Sequence, residues 1–187
     1  ITTGGTDTNI YFRFERLPHP DVEPSFNLDP VLIVGETELE YTLTIPAQDA
    51  ANTYESFLLY VVEQDQTVII KDIVVTDDIG STGGSTGGGA NDGGYNDGGS
   101  TESTVTVFDE GLVGSYWDEG IGAYDEAINF NICQNDAGVG CPSISWTLAE
   151  DPNRGSVLQV SHSEAGGLAA LFFLTTSPQD LSAFNEG

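Results

Sequence analysis

The sequence has very little positive charge and no methionine. Four basic residues stand against 30 acidic ones, and the formal net charge is −26 over 187 residues. A surface of this sign repels phosphate groups, which argues against nucleic acids and anionic membranes as partners. No apolar run approaches the roughly 18 residues of a membrane-spanning helix, and no Asn-x-Ser/Thr sequon occurs. Because the first residue is Ile1, we expect a mature product or a piece of a longer chain whose targeting segment is gone.

Cysteine is also scarce, with Cys133 and Cys141 as the two copies. The residues between them are turn formers, so the pair can close a small disulfide loop, although two free thiols in a reducing compartment are the alternative. A zinc site is disfavoured because there is no second cysteine pair and because His19 and His162 are distant in sequence. The acidic composition and a long Gly/Ser/Thr tract favour the oxidising setting, so we predict a disulfide and a secreted or cell-surface location.

The composition changes sharply after Thr76. Between Gly80 and Gly99, ten of the twenty residues are glycine. Such a segment buries too little apolar surface to offset its backbone entropy, so it is predicted to be a flexible linker. The predicted division of the chain is residues 1–78, a linker over 79–104, and residues 105–187.

On both sides of the linker, short stretches alternate apolar and polar residues, as half-buried β-strands do. Residues 10–15 and 38–45 alternate most regularly, and Trp146 alternates with Ile144 and Leu148, which favours a core position for this tryptophan. No amphipathic helix longer than about two turns is indicated. Many short strands separated by turn signals predict an all-β fold, an antiparallel β-sandwich or jelly roll. The predicted strands cover residues 10–15, 38–45, 57–62, 68–75, 105–108, 127–133, 143–148, 156–162 and 168–175.

Several motifs resemble a galactose-binding-like β-sandwich module, found as the C-terminal module of marine bacterial β-glucanases and related secreted polysaccharide-active proteins. The first half of that module is matched by Val107-Phe-Asp-Glu-Gly-Leu, Tyr116-Trp-Asp, Glu150-Asp-Pro-Asn-Arg-Gly and Asp180-Leu-Ser-Ala-Phe-Asn-Glu-Gly. Its last two strands are matched by Phe57-Leu-Leu-Tyr and Thr67-Val-Ile-Ile-Lys-Asp. The chain departs from the family at Ile73, where the family has asparagine.

The order of these motifs is the reverse of the order in the module, because the second half comes before the linker and the first half after it. Either the chain is cut from a tandem array, or residues 1–78 pair with residues 105–187 to complete one sandwich. In the second case the partner strands come from the same chain or from a neighbouring one. Half a sandwich leaves unpaired strand edges, which invite strand addition.

The resemblance implies a non-catalytic module associated with carbohydrate-active proteins, and calcium is common in the wider fold group. Carboxylate-rich loops can supply the six to eight oxygens that calcium needs. The resemblance points to Glu110 and Asp72 as calcium ligands, whereas a solvated acidic surface is the alternative explanation for these residues.

Sugar binding requires exposed aromatic side chains flanked by polar groups. Trp117, with Tyr116 and Tyr124, lies in a polar, glycine-rich stretch and is the first candidate. Tyr11 and Arg13, on the outer face of one predicted strand, are the second. For each of these residues, packing is the alternative role.

The sequence contains no convincing catalytic set, since paired carboxylates are common in this composition and no serine or cysteine lies in a nucleophile-like turn. We therefore predict that the protein is not an enzyme. The leading hypothesis is a structural repeat that assembles end to end with copies of itself or neighbouring repeats by strand complementation. The alternative is a carbohydrate-binding accessory module of a secreted polysaccharide-degrading enzyme.

Overall fold

A computed structural model of the chain describes residues 1–3, 5–17, 23–76, 104–109, 120–133, 140–164 and 166–184. In these ranges the regular structure is almost entirely antiparallel β-strand, with short 3₁₀ turns at Glu126–Ile128 and Ser182–Phe184. The strands are β1 (Thr2–Thr3), β2 (Thr8–Glu15), β3 (Phe26–Asn27), β4 (Val31–Ile33), β5 (Thr53–Val61), β6 (Gln66–Ile70), β7 (Asp72–Thr76), β8 (Thr104–Asp109), β9 (Gly120–Asp125), β10 (Asn131–Cys133), β11 (Ile144–Asp151), β12 (Gly155–His162) and β13 (Ala169–Asp180).

The described strands form two main sheets and one short ribbon. Sheet A has the order β1-β6-β12-β11, and sheet B has the order β10-β9-β13-β5-β2-β3, with β4 also paired to β2. The ribbon consists of β7 and β8. Antiparallel sheets packed face to face make an all-β sandwich, so the predicted fold class is confirmed.

Strands from the two sides of the glycine-rich tract pair with each other within this one chain. Ile70 of β6 lies opposite Leu158 of β12, and Leu59 of β5 lies opposite Leu171 of β13. The ribbon also joins the two segments, because β7 precedes the tract and β8 follows it. The two segments therefore complete one sandwich by intrachain pairing, which is one of the two arrangements expected from the sequence.

The inward faces of both sheets supply one apolar core. Strand β2 contributes Phe12 and Phe14, and the ring of Phe12 stacks on that of Phe57 at a centroid distance of 4.9 Å. Sheet A contributes Val160 and Trp146, which is only 6% exposed, as its alternation predicted. Strand β11 extends beyond this core, because Leu148 on the same face is half exposed.

The outer face of sheet B carries a second apolar cluster of Leu58, Tyr124, Ala170, Phe172 and Leu174. The ring of Phe172 lies directly over the backbone of β9. A Cβ atom on Gly122 would be 2.3 Å from the Cζ atom of Phe172, so only glycine allows this close approach. Both faces of the central strands β5 and β13 are thus buried, which explains their continuous apolar runs.

Three predicted strands differ from the structure. Residues 38–45 do not form a ladder in the described part of the chain, although the inward side chains of Tyr41, Leu43 and Ile45 pack against the core. The predicted strand 68–75 is divided at Lys71, because β6 pairs in sheet A and β7 pairs with β8.

The third difference concerns residues 127–133, which begin with a 3₁₀ turn rather than with a strand. The Asp125 carboxylate accepts a hydrogen bond from the Ala127 amide and caps this turn. Asn129 and Phe130 then adopt left-handed φ values of 59° and 56°, which reverse the chain before β10.

Candidate functional sites

The predicted disulfide joins Cys133, at the end of β10, to Cys141, with 5.9 Å between the Cα atoms. The chain after it is also anchored. The Ser143 hydroxyl and amide donate to the carboxylate of fully buried Asp125, at 2.7 and 2.6 Å. These bonds fix the entry to β11 against the end of β9.

The predicted calcium ligands are only partly described. Glu110 lies outside the described residues, whereas Asp72 begins β7 directly opposite Asp109 of β8. Partial burial raises the pKa of the Asp72 carboxyl, Lys71 opposes this shift, and the neighbouring Asp109 adds to it. Within the described ranges, no group of three or more metal-ligating side chains is assembled.

The structure describes one of the first three predicted sugar-binding residues, Tyr124. Trp117 and Tyr116 lie outside the described residues. Tyr124 is only 6% exposed, and its ring packs against Phe172 at a centroid distance of 4.7 Å. Tyr124 therefore has the packing role and does not offer the exposed ring that sugar stacking requires.

Of the second predicted pair, Arg13 donates hydrogen bonds to Glu15 and Asn27. Tyr11 lines an open cavity at one end of the sandwich, which we call the terminal pocket. Its volume is about 550 Å³. Tyr11 on β2 is directly opposite Tyr60 on β5, and the two rings stack at 4.4 Å with an interplanar angle of 6°. Burial raises the pKa of Tyr60, so its hydroxyl remains protonated at neutral pH. The remaining lining residues are Val61, Val62, Gln64, His162, Gly166, Gly167, Leu168 and Ala169.

His162 is a terminal-pocket residue with a buried polar atom that lacks a hydrogen-bond partner in the described structure. The side chain is 7% exposed, and its Nε2 atom lies 2.9 Å from the Gly167 carbonyl oxygen. Because a carbonyl oxygen only accepts, Nε2 carries the hydrogen, and in the neutral ring Nδ1 is then an acceptor. In the described structure, Nδ1 is buried and has no hydrogen-bond partner. A buried acceptor of this kind gains free energy when a ligand or water donates a hydrogen to it.

The rim of the terminal pocket combines apolar and polar groups. Val62 and Leu168 are both about half exposed. The Gln64 side-chain amide donates to the Gly166 carbonyl, which holds the turn before β13 against the turn after β5. The pocket thus combines an aromatic wall, a partly apolar rim and a mostly buried histidine.

A second cavity, of about 570 Å³, lies between residues 38–45 and strand β7, and we call it the strand groove. Its floor is formed by side chains of sheet B, among them Phe12, Phe14 and Phe57. Along one wall, Ile73 and Val75 of β7 point inward and are buried. The opposite wall has the same alternation in residues 38–45.

Both walls of the strand groove have backbone groups without a ladder. In residues 38–45, the described backbone bonds are those between Leu39 and Ile1, at 2.8 and 3.3 Å. Strand β7 is paired with β8 on one edge, and no ladder on its other edge is described. Strand β1 is antiparallel to β6, and Ile1 exchanges both backbone hydrogen bonds with Leu39, as residues of antiparallel strands do. The segment at Leu39 and strand β6, which leads into β7, therefore run in the same direction.

The rim of the strand groove carries mainly acidic side chains. Glu38 pairs with Arg154 at 2.7 Å, and Asp72 lies 3.8 Å from Lys71. Glu40 is exposed on the same wall as Glu38. The two basic side chains near the groove are therefore already opposed by carboxylates.

Sequence reasoning did not identify Tyr60 or His162 as site residues. It placed His162 on a strand and found no serine or cysteine in a nucleophile-like turn. The available signal was the pair of glycines at 166 and 167, four and five residues later, which marks a tight turn. This turn brings the Gly167 carbonyl back to the ring, whereas the meeting of Tyr11 with Tyr60 depends on strand register.

Comparisons of the chain with protein-family models, with curated proteins and with solved structures find no match. The resemblance to galactose-binding-like modules therefore stays a prediction from the motifs quoted above. The described part of the chain also contains no helix that is long and apolar enough to cross a membrane.

Proposed function

We propose that the chain is a non-catalytic β-sandwich module that binds a neutral carbohydrate in the terminal pocket. The observation that carries this proposal is the stacked Tyr11–Tyr60 pair in a cavity that is also lined by His162, whose buried Nδ1 has no partner in the described structure. The disulfide supports an extracellular setting, where such a module would serve a secreted polysaccharide-degrading enzyme.

The chemistry of the pocket suits a sugar ring. Pyranose rings present an apolar face of C–H groups, which can pack on aromatic or aliphatic side chains, and hydroxyl groups at their edge. Tyr11 and Leu168 would contact the apolar face, and a ligand hydroxyl would donate to Nδ1 of His162 after a local shift exposes this buried atom. The net charge of −26 favours a neutral ligand over an anionic one.

The decisive variant is His162→Gln. Glutamine can keep a donor near the Nε2 position, and with it the bond to Gly167, but it has no acceptor at the Nδ1 position. We expect binding of neutral gluco-, galacto-, manno- or xylo-oligosaccharides, measured by calorimetry, to weaken by about tenfold or more. Tyr11→Ala should weaken binding similarly.

Tyr41→Ala is the matched control, because Tyr41 is a half-buried tyrosine of the strand groove rather than of the terminal pocket. It should leave sugar affinity unchanged. If the parent protein binds none of the oligosaccharides, or if all three variants bind equally well, the carbohydrate proposal fails.

End-to-end assembly with further copies by strand complementation is the second candidate function. The observation in its favour is the strand groove, whose walls present backbone groups without ladder partners in the described structure. Because every copy carries a charge of −26, we expect association only where salt screens the repulsion. Sedimentation in about 50 mM and about 1 M NaCl tests this, and a monomer in both would contradict it.

Calcium bound by Asp72 and Glu110 also stays a proposal. A ligand held only by the folded state raises the melting temperature by mass action. Chelation at matched ionic strength should therefore lower the melting temperature, and an Asp72→Asn variant should no longer respond. An unchanged melting curve in chelator would remove the calcium proposal.

A further inference from the structure

The strand groove has features that the proposed carbohydrate site does not use. Its floor is aromatic, its two walls are extended segments, and both walls lack a ladder along the groove among the described residues. These are the requirements for β-strand addition, in which main-chain bonds supply affinity and alternate side chains supply specificity.

We propose that the strand groove binds an extended segment of a different polypeptide in which apolar residues alternate with lysine or arginine. This proposal is independent of sugar binding, because the terminal pocket shares none of its lining residues with the groove. The proposed source of the bound strand is a basic partner rather than a second copy of this chain.

The direction of the walls determines how the segment would lie. The segment at Leu39 and strand β6, which leads into β7, both run opposite to β1, so the two walls enter the cavity in the same direction. One strand inserted between them can be antiparallel to both, and every ladder in the described structure is antiparallel. Such a strand would use the open backbone groups of both walls at once.

The side-chain pattern of the walls determines which residues alternate. Leu43 and Ile45 on one wall and Ile73 and Val75 on the other face inward. Inward residues of an inserted strand would therefore meet the floor of Phe12, Phe14 and Phe57, where apolar side chains gain most. Its intervening residues would point outward, level with the exposed positions of the walls.

The charge of the outward positions favours a basic partner. Glu38, Glu40 and Asp72 are exposed at the rim, and Asp109 lies opposite Asp72. Lys71 and Arg154 are paired with Asp72 and Glu38, which leaves Glu40 and Asp109 as rim carboxylates without an ion pair among the described residues. A second copy would bring a further charge of −26, whereas lysine or arginine would complement the rim.

Synthetic peptides can test the proposal on the intact protein. The probe is a soluble nine-residue peptide of alternating lysine and valine with a fluorescent label, and its binding is followed by anisotropy. We expect a peptide of alternating glutamate and valine to bind about a hundredfold more weakly. Methylation of one inner backbone amide of the lysine peptide should weaken binding about tenfold, because it removes a bond to one wall.

Charge variants of the protein locate the site. Glu40→Lys should weaken binding of the lysine peptide and strengthen binding of the glutamate peptide. The control, Glu164→Lys, makes the same charge change at an exposed position outside the groove lining. If Glu40→Lys and Glu164→Lys act equally, or if the methylated peptide binds as well as the parent peptide, the attraction is non-specific and the proposal fails.

The oligomeric state separates the two sources of the strand. If the lysine peptide does not bind and the protein instead forms dimers that Glu40→Lys alters, the occupant is a second copy and the basic partner is wrong. Oligosaccharide affinity, measured in the same samples, should be unchanged by Glu40→Lys. Failure of this proposal is therefore distinguishable from failure of the carbohydrate site.

Discussion

Strand β2 and residues 38–45 have the same sequence pattern but different structures. In both, apolar residues alternate with polar ones, and in both the apolar side chains face the core. Strand β2 pairs with β5 along one edge and with β3 and β4 along the other. Residues 38–45 have no such neighbours in the described structure, and they form a wall of the strand groove.

The difference shows what alternation does and does not report. A period of two indicates which side chains are buried, because successive side chains of an extended chain point to opposite sides. It does not indicate whether another backbone lies within hydrogen-bonding distance. The contrast predicts that the stability of the fold depends strongly on β2 and weakly on residues 38–45.

The largest expected difference is in side-chain burial. Phe14 of β2 is 1% exposed, whereas Leu43 is only partly buried beside the cavity. Phe14→Ala should lower the free energy of unfolding by about 3–5 kcal/mol, and Leu43→Ala by about 1 kcal/mol, because Leu43 already borders open space. Denaturant unfolding measures both. Equal losses would show that residues 38–45 are as well packed as a central strand.

The next difference concerns the backbone. Arg13 is paired with Asn27 on one side and with Leu58 on the other, so Arg13→Pro removes a ladder bond and crowds the sheet. Relative to Arg13→Ala, we expect a loss of about 2–4 kcal/mol. Thr42→Pro, relative to Thr42→Ala, should cost less than about 1 kcal/mol because no ladder depends on it. A large loss at Thr42 would indicate a ladder on residues 38–45 in solution.

The sequence was sufficient to predict the fold class and the position of most strands. The burial of Trp146 and the disulfide followed from local patterns, namely alternation and turn-forming residues between two cysteines. These properties depend on residues close together in the chain, which is why one sequence can reveal them.

The candidate sites were harder to predict because they depend on contacts between distant residues. Tyr11 meets Tyr60 only through the register of β2 on β5. The partner of His162 is fixed by the turn before β13, and the groove exists because residues 38–45 have no ladder beside β7 in the described structure. For Tyr124 the sequence left sugar binding and packing open, because polar neighbours in sequence do not report the packing of Phe172 over Gly122.

Strand β10 is a third region for the comparison, because it also has few strand neighbours but is held by a disulfide bond. Its three residues pair only with β9 among the described strands, and its last residue, Cys133, is bonded to Cys141. Reducing the disulfide should lower the free energy of unfolding by about 2–3 kcal/mol through loop-closure entropy. Unfolding with and without reductant measures this, and the Cys133→Ala/Cys141→Ala double variant should match the reduced protein. No change on reduction would mean that β9 alone holds this edge.

The smallest expected effect is electrostatic and belongs to the end of the strand groove. Partial burial and the neighbouring Asp109 raise the pKa of Asp72 despite the opposing effect of Lys71. A carboxyl with a raised pKa in the folded state favours folding when protonated, so its contribution is present at acid pH and is lost as the pH rises through its folded pKa. In chelator, Asp72→Asn should therefore stabilise the protein slightly at neutral pH, and this gain should vanish near pH 3.

Asp180 provides a control of opposite sign. The Ser182 amide donates to its carboxylate at 2.8 Å, and this bond lowers the pKa of Asp180. Its contribution is present above its unfolded pKa and is lost as the pH falls through its folded pKa. Asp180→Asn should then destabilise the protein slightly at neutral pH and have no effect in acid. Thermal melts of both variants across the acid range test this pair of predictions. The change in melting temperature caused by each substitution should vary with pH in opposite directions for Asp72→Asn and Asp180→Asn. If Asp72→Asn also destabilised the protein at neutral pH, the attraction between Asp72 and Lys71 would outweigh the effects of burial and of Asp109. The rim of the groove would then carry less effective negative charge than its residues indicate.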